Sequence, residues 1–281
     1  MTALRVLESA RAVVRTVGRA ATVHAYEVGA LASTAAMAGL SAASVGFERA
    51  SSVSPHTKAH AGPTARPVLL VHGFGGTKSS WSVIAQALSD RGIMVDTITY
   101  SPLGNSVEQL ADELVDAVEM TLSQTGADKV HMVGHSLGGV VIAQAIAGGG
   151  LVGLVDTVIT LGSPFGGSPW AGLLPFGDLP RALRPGSPQL RRLASAPVPV
   201  GVRWLAVTAA LDIIVPSPRS VPAHVDVETI TFDGIGHLGM LISRRVVDYI
   251  VAALPAQGSP VAAEPHTPRL PTATEQAATA S

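Results

Sequence analysis

The chain has no cysteine in 281 residues. Disulfides and thiolate metal sites are therefore excluded, and the redox compartment stays open, since a cysteine-free chain works inside or outside the cell. Charge is scarce. Asp, Glu, Lys and Arg make up 14% of the chain, and the net charge is −1. No basic block stands out, so nothing suggests a nucleic-acid partner. A plain secretion signal is missing too. Such a signal needs an unbroken apolar stretch soon after a basic start, and His24 and Glu27 interrupt it here. A cytoplasmic or membrane-associated location is therefore favoured over secretion. Residues 29–47 carry no charge and are long enough in principle to cross a bilayer, but they are mostly Ala, Ser, Gly and Thr. Apolar side chains are plentiful. At 47% hydrophobic, the chain has ample material for one large core.

Leu4, Leu7, Ala10, Val14 and Val17 share one helical face, with Arg5, Arg11, Arg15 and Arg19 mostly elsewhere. This predicts a helical extension over 1–50, packed on the rest of the chain or touching a membrane surface. Residues 51–66, rich in Ser, Pro, His, Thr and Gly, read as a linker. From Pro67 onward, strands and helices alternate. Strands are predicted at Pro67 to Val71, Ile93 to Thr99, from Lys129, at Val155 to Leu161, Val202 to Thr208 and Val227 to Phe232. Between them, a helix capped by Ser79 or Ser80 runs to about Ser89. A second carries Val107, Leu110, Leu114, Val118 and Leu122 on one face and ends at Gly126. Met240 to Leu254 closes as a helix. The fold class is α/β, with a mostly parallel sheet covered by helices on both faces. Ligands of such sheets sit at the carboxyl ends of the strands. Residues 163–200 break the alternation. They hold the apolar cluster Trp170, Leu173, Leu174 and Phe176 and a short helical stretch at Gln189 to Leu193. A loop-rich insertion of that length inside a compact domain is usually functional or disordered. Residues 255–281, Pro-, Ala- and Thr-rich, read as a disordered tail.

The chain is organised around residues 130–139. An apolar run, Val130 to Val133, meets Gly134-His135-Ser136-Leu137-Gly138, and the apolar-periodic Val140, Val141, Ile142, Ala145 and Ile146 follow. The order is strand, sharp turn, helix. Such a turn holds a serine at a strained backbone position with its hydroxyl above the sheet. A serine hydroxyl needs a base within hydrogen-bond reach, and the base needs an orienting acid. His237, after the last strand and flanked by glycines, is the candidate base. Asp212, directly after a strand, is the candidate acid, with Asp178 and Asp233 as weaker substitutes. The order Ser136, Asp212, His237 is the one this sheet type uses. His135 reads as packing in the turn rather than as a base. Backbone donors must stabilise the oxyanion. Leu137 supplies one N–H and Phe74, in His72-Gly73-Phe74-Gly75-Gly76, the other. His72 and Gly73 support that loop. A phosphate cradle is a weak reading, because no Gly-Lys-Ser/Thr follows.

The chain resembles the α/β-hydrolase superfamily, and within it the bacterial lipases and esterases. The likeness covers roughly residues 66–254. It rests on Val-His-Gly-Phe-Gly-Gly (71–76), Gly-His-Ser-Leu-Gly-Gly (134–139), Leu-Gly-Ser-Pro-Phe-Gly-Gly-Ser (161–168), Leu-Asp-Ile-Ile-Val-Pro (211–216) and Gly-Ile-Gly-His-Leu-Gly (234–239). The last two are similar to small bacterial triacylglycerol lipases. The resemblance implies a catalytic domain over 67–254 with the roles given above, no cofactor and no metal, and a small-molecule acyl ester or lipid as substrate, with Trp170, Leu173, Leu174 and Phe176 in the 163–200 cap or lid insertion as an acyl-binding wall or as ordinary packing. Residues 1–66 have no counterpart in it. The calcium site of some larger lipases has no clear acidic set here. Acyl transfer by the same triad, and a catalytically silent binding protein on the same fold, are the alternatives.

Overall fold

Short apolar runs bounded by glycine and polar turns become six strands of one sheet: β1 (Val68–Val71), β2 (Val95–Ile98), β3 (Val130–His135), β4 (Val155–Leu161), β5 (Arg203–Ala209) and β6 (Val227–Phe232). Their order is β2-β1-β3-β4-β5-β6, and every pair is parallel. The computed structural model describes residues 21–24, 66–101, 104–173, 177–196, 200–223 and 226–255. The helical extension, linker and tail expected at 1–50, 51–66 and 255–281 lie almost wholly outside the described residues.

Strand alternation splits the core in two. Leu69 and Val71 face one cluster, and Val68 and Leu70 face the other. The first cluster is closed by helices α2 (Val107–Thr125) and α3 (Leu137–Ala147). The second is closed by α1 (Ser82–Ser89) and α6 (Arg244–Ala253). The sheet is thus covered on both faces, as its near-continuous apolar strands require. The expected cap for α1 sits earlier. Thr77 precedes a 3₁₀ turn over Lys78–Trp81, and its N–H donates to Ser80 Oγ at 3.1 Å. The last helix likewise starts later than its apolar pattern suggests, because a 3₁₀ turn over Leu238–Leu241 comes first. Among the described residues no helix is long and apolar enough to cross a membrane.

The chain runs from β1 outward to the edge strand β2, then back past β1 to β3, and onward to β6. The strand order therefore reverses between β1 and β3. The crevice of a parallel sheet opens at such a reversal, beyond the carboxyl ends of the strands. At the opposite end, Arg66 bridges Asp128 (2.8 Å) and Asp156 (2.5 Å). His131, buried in β3, lies 3.4 Å from Asp156. Burial pushes the His131 pKa down to about 4, against the pull of Asp156. The unfolded chain therefore binds more protons than the folded one from about pH 6.5 down to about pH 4. Stability is expected to fall as pH drops through that window, and His131→Asn to flatten the fall. Urea melts at about pH 7 and about pH 5 measure both.

Candidate active site

Ser136 stands between β3 and α3 with φ 53° and ψ −123°, and it alone among the described non-glycine residues has a positive φ. Such a backbone costs about 1–3 kcal/mol and persists only where its surroundings enforce it. Here the Ser136 N–H donates to the Leu161 carbonyl at 2.9 Å, and its own carbonyl accepts from Gly139 N–H at 3.1 Å. The turn is also too tight for side chains. A Cβ at Gly134 would stand 2.7 Å from the Gly139 nitrogen, and one at Gly138 would run into the Val71 carbonyl. Leu137 opens α3, so its N–H has no partner within the helix.

Asp212 follows β5 and is buried, as is His237 after β6. His237 Nδ1–H donates to Asp212 Oδ2 at 2.8 Å. The other carboxylate oxygen, Oδ1, accepts from the N–H groups of Ile214 (2.9 Å) and Val215 (2.7 Å). The carboxylate is thus held from both sides, and Nε2 is left as the lone-pair nitrogen of the uncharged ring. Gly162, at φ 57°, makes room for this pair. A Cβ there would stand 3.0 Å from both Asp212 Oδ2 and His237 Nδ1. Among the described residues, Ser136 and His237 are not joined by a hydrogen bond. Nucleophile–base contacts are often looser without substrate.

The loop after β1 leans on the same turn. A Cβ at Gly73 would lie 2.8 Å from the Ser136 Cβ. Gly73 C=O accepts from Gly76 N–H (3.0 Å) and from His72 Nδ1–H (2.9 Å). That fixes the His72 tautomer, and Nε2 accepts from Tyr100 N–H at 3.5 Å. The Tyr100 ring stacks on His72, with centroids 4.3 Å apart, and its hydroxyl donates to the His72 carbonyl. Burial lowers the His72 pKa and raises that of Tyr100. Phe74 is half-buried against the core, and its N–H makes no backbone hydrogen bond among the described residues. Behind this loop lies a cleft of about 400 Å³, counting the open solvent at its mouth, with His72, Phe74, Trp81, His135, Leu238 and Leu241 on its walls.

The strained serine, the carboxylate-anchored histidine and the loop after β1 thus lie at the carboxyl ends of β1, β3, β5 and β6. Among the described residues no group of three or more His, Cys, Asp or Glu side chains could hold a metal ion. Residues 68–267, more than half of the chain, match the model of the alpha/beta hydrolase family. The chain belongs to that family. A triacylglycerol lipase of Pseudarthrobacter phenanthrenivorans is 33% identical over 116 residues, which are 38% of this chain and 36% of the lipase. A triacylglycerol lipase of Vibrio cholerae is 33% identical over 144 residues, 46% of this chain and 45% of that one. The match thus spans less than half of either relative. The structure of mature lipase BlEst2 from Bacillus licheniformis superposes with a TM-score of 0.58, over 70% of this chain and 96% of that one, at 18% identity. That likeness is one of fold.

Within 163–200 the described residues are more regular than the composition suggests. It forms a 3₁₀ turn (Pro169–Gly172) and two short helices, α4 (Asp178–Ala182) and α5 (Pro188–Ala194). Phe165, Leu179, Leu183, Leu190 and Leu193 are buried in the first core cluster. Trp170 Nε1–H donates to the Ile213 carbonyl (2.8 Å) and Ser168 Oγ–H to the Ile214 carbonyl (2.6 Å). The insertion therefore clamps the loop that carries Asp212. Leu173 is 70% exposed, and Leu174 and Phe176 lie outside the described residues. Asp178 and Asp233 are exposed, and Asp212 is the carboxylate that meets His237. Tyr100 has no local sequence signal, and Gly162 stands in the 161–168 motif with no role marked for it. Each acts on a residue far along the chain.

Proposed function

We propose that this chain is a serine carboxylester hydrolase acting through Ser136, Asp212 and His237. His237 Nε2 takes the proton from the Ser136 hydroxyl as Oγ attacks the ester carbonyl carbon. The tetrahedral oxyanion is received by the N–H groups of Leu137 and Phe74. His237 then returns the proton to the departing alcohol oxygen, leaving an acyl group on Ser136. Water, deprotonated by His237, attacks that acyl group, and the acid leaves as Ser136 Oγ regains its proton. Asp212 keeps the proton of the resting imidazole on Nδ1 and offsets the charge of the imidazolium. One observation carries this reading: a strained serine at the start of a helix, on the same rim as a buried histidine whose Nδ1–H is anchored by a doubly hydrogen-bonded carboxylate. The two relatives named as triacylglycerol lipases support an ester substrate.

Hydrolysis of p-nitrophenyl esters of graded chain length tests the proposal. Turnover by the wild type is the expected result. A long-chain preference assigns a lipase and a short-chain preference an esterase with a shallow pocket. A folded wild type that cleaves no ester contradicts it. Added alcohol acceptors separate hydrolysis from acyl transfer, because water and alcohol compete for the same acyl-enzyme.

A further inference from the structure

We propose that His135 is a positioning residue whose Nε2–H holds the His237 backbone to the strand that carries Ser136. The inference rests on the serine-hydrolase reading and adds a residue to it. His135 is the last residue of β3, in register with Leu161 of β4, and directly precedes Ser136. Its place is therefore set by the sheet. Its Nε2 lies 3.2 Å from the His237 carbonyl oxygen, across 102 positions of sequence. A carbonyl only accepts, so Nε2 carries the hydrogen and the tautomer is settled. Burial, and next the neighbouring His237, hold the His135 pKa well below the usual range. The ring is thus a neutral donor near neutral pH.

The stretch that carries His237 needs such a tie. Asp212 fixes the tip of the His237 ring, and the backbone around it is glycine-rich, with Gly234, Gly236 and Gly239 within three residues. The main-chain bond from Leu211 N–H to Ile235 O, at 3.0 Å, holds the approach to His237. The His135 bond holds His237 itself. The two rings also pack at 4.6 Å between centroids, tilted by 51°. On its other side His135 meets the loop after β1, since a Cβ at Gly73 would stand 3.1 Å from His135 Nδ1. One side chain therefore touches the base segment and the loop that carries Phe74, and is bonded covalently to the nucleophile. A misplacement of about 1 Å between reacting groups costs on the order of 100-fold in rate.

The test compares His135→Gln, His135→Leu and His135→Asn in the full chain. Glutamine places an amide N–H at the reach of Nε2, leucine fills space without a donor, and asparagine is too short. The readouts are kcat and KM for a p-nitrophenyl ester, and the rate of labelling by a fluorophosphonate. Glutamine is expected to stay within about threefold of wild-type kcat, while leucine and asparagine lose about 10- to 100-fold in kcat and labelling rate with KM nearly unchanged. Leucine as active as glutamine, or glutamine as impaired as leucine, overturns the role. If circular dichroism shows that the leucine variant does not fold, the asparagine and glutamine pair decides by the same criterion. A folded wild type that neither turns over esters nor takes the label overturns the serine-hydrolase reading itself, an outcome distinct from failure of the His135 role.

Discussion

Ser136→Ala is expected to lower ester turnover by roughly 10⁴- to 10⁶-fold without loss of the fold. Alanine keeps the Cβ, so the backbone at φ 53° is strained to the same degree and the packing against Gly73 is unchanged. Only the hydroxyl oxygen, the proposed nucleophile, is gone. What remains is binding and the two proposed N–H donors, which alone give modest acceleration over water. Ser136→Gly separates strain from chemistry. It loses the same activity, but glycine adopts positive φ without penalty, so it is expected to be more stable than Ser136→Ala by about 1 kcal/mol. Initial rates and urea melts on both variants measure this. A Ser136→Ala protein retaining more than about a hundredth of wild-type turnover contradicts the nucleophile assignment.

Asp212→Asn is expected to cost about 10⁴-fold in kcat with little change in KM. The reason lies in the two backbone N–H groups on Oδ1. They accept nothing, so the oxygen of an asparagine amide stays on Ile214 and Val215. Its NH₂ group then faces His237 Nδ1 at the place of Oδ2. Two donors cannot share a hydrogen bond, so the His237 proton moves to Nε2. That is the wrong tautomer, because Nε2 then has no lone pair to take the Ser136 proton. Asp212→Ala removes the oxygen anchor as well, and is expected to be the less stable of the two variants. Steady-state kinetics with thermal melts distinguish them. An Asn variant near wild-type activity contradicts the orienting role.

The parts of this site that were legible in the sequence are those written locally. Val130 to Val133, the glycines around Ser136 and the apolar period after it carry strand, turn and helix in one stretch. Two predicted strands, Val155–Leu161 and Val227–Phe232, match the observed ones residue for residue, because apolar or β-branched runs and turn residues mark both ends. The regular elements within 163–200 were less legible. Prolines and glycines dominate its composition, yet Pro169 and Pro188 open a 3₁₀ turn and α5 at the first helical position, where a missing N–H costs nothing. The rest is long-range. Tyr100 reaches His72 across 28 positions and Trp170 reaches Ile213 across 43. His135 reads locally as packing, and only the three-dimensional register brings the His237 carbonyl to its ring. Gly162 belongs to the 161–168 motif, but its role is not written there. It matters because the Asp212–His237 pair passes where its side chain would be.

The most direct measurement of the central claim is the site of covalent modification by a fluorophosphonate. The folded wild type is treated with the reagent, digested, and the adduct located by mass spectrometry. One adduct is expected, on Ser136, lost in Ser136→Ala and formed far more slowly in His237→Ala. An adduct on another residue, or none on the folded wild-type protein, would contradict it.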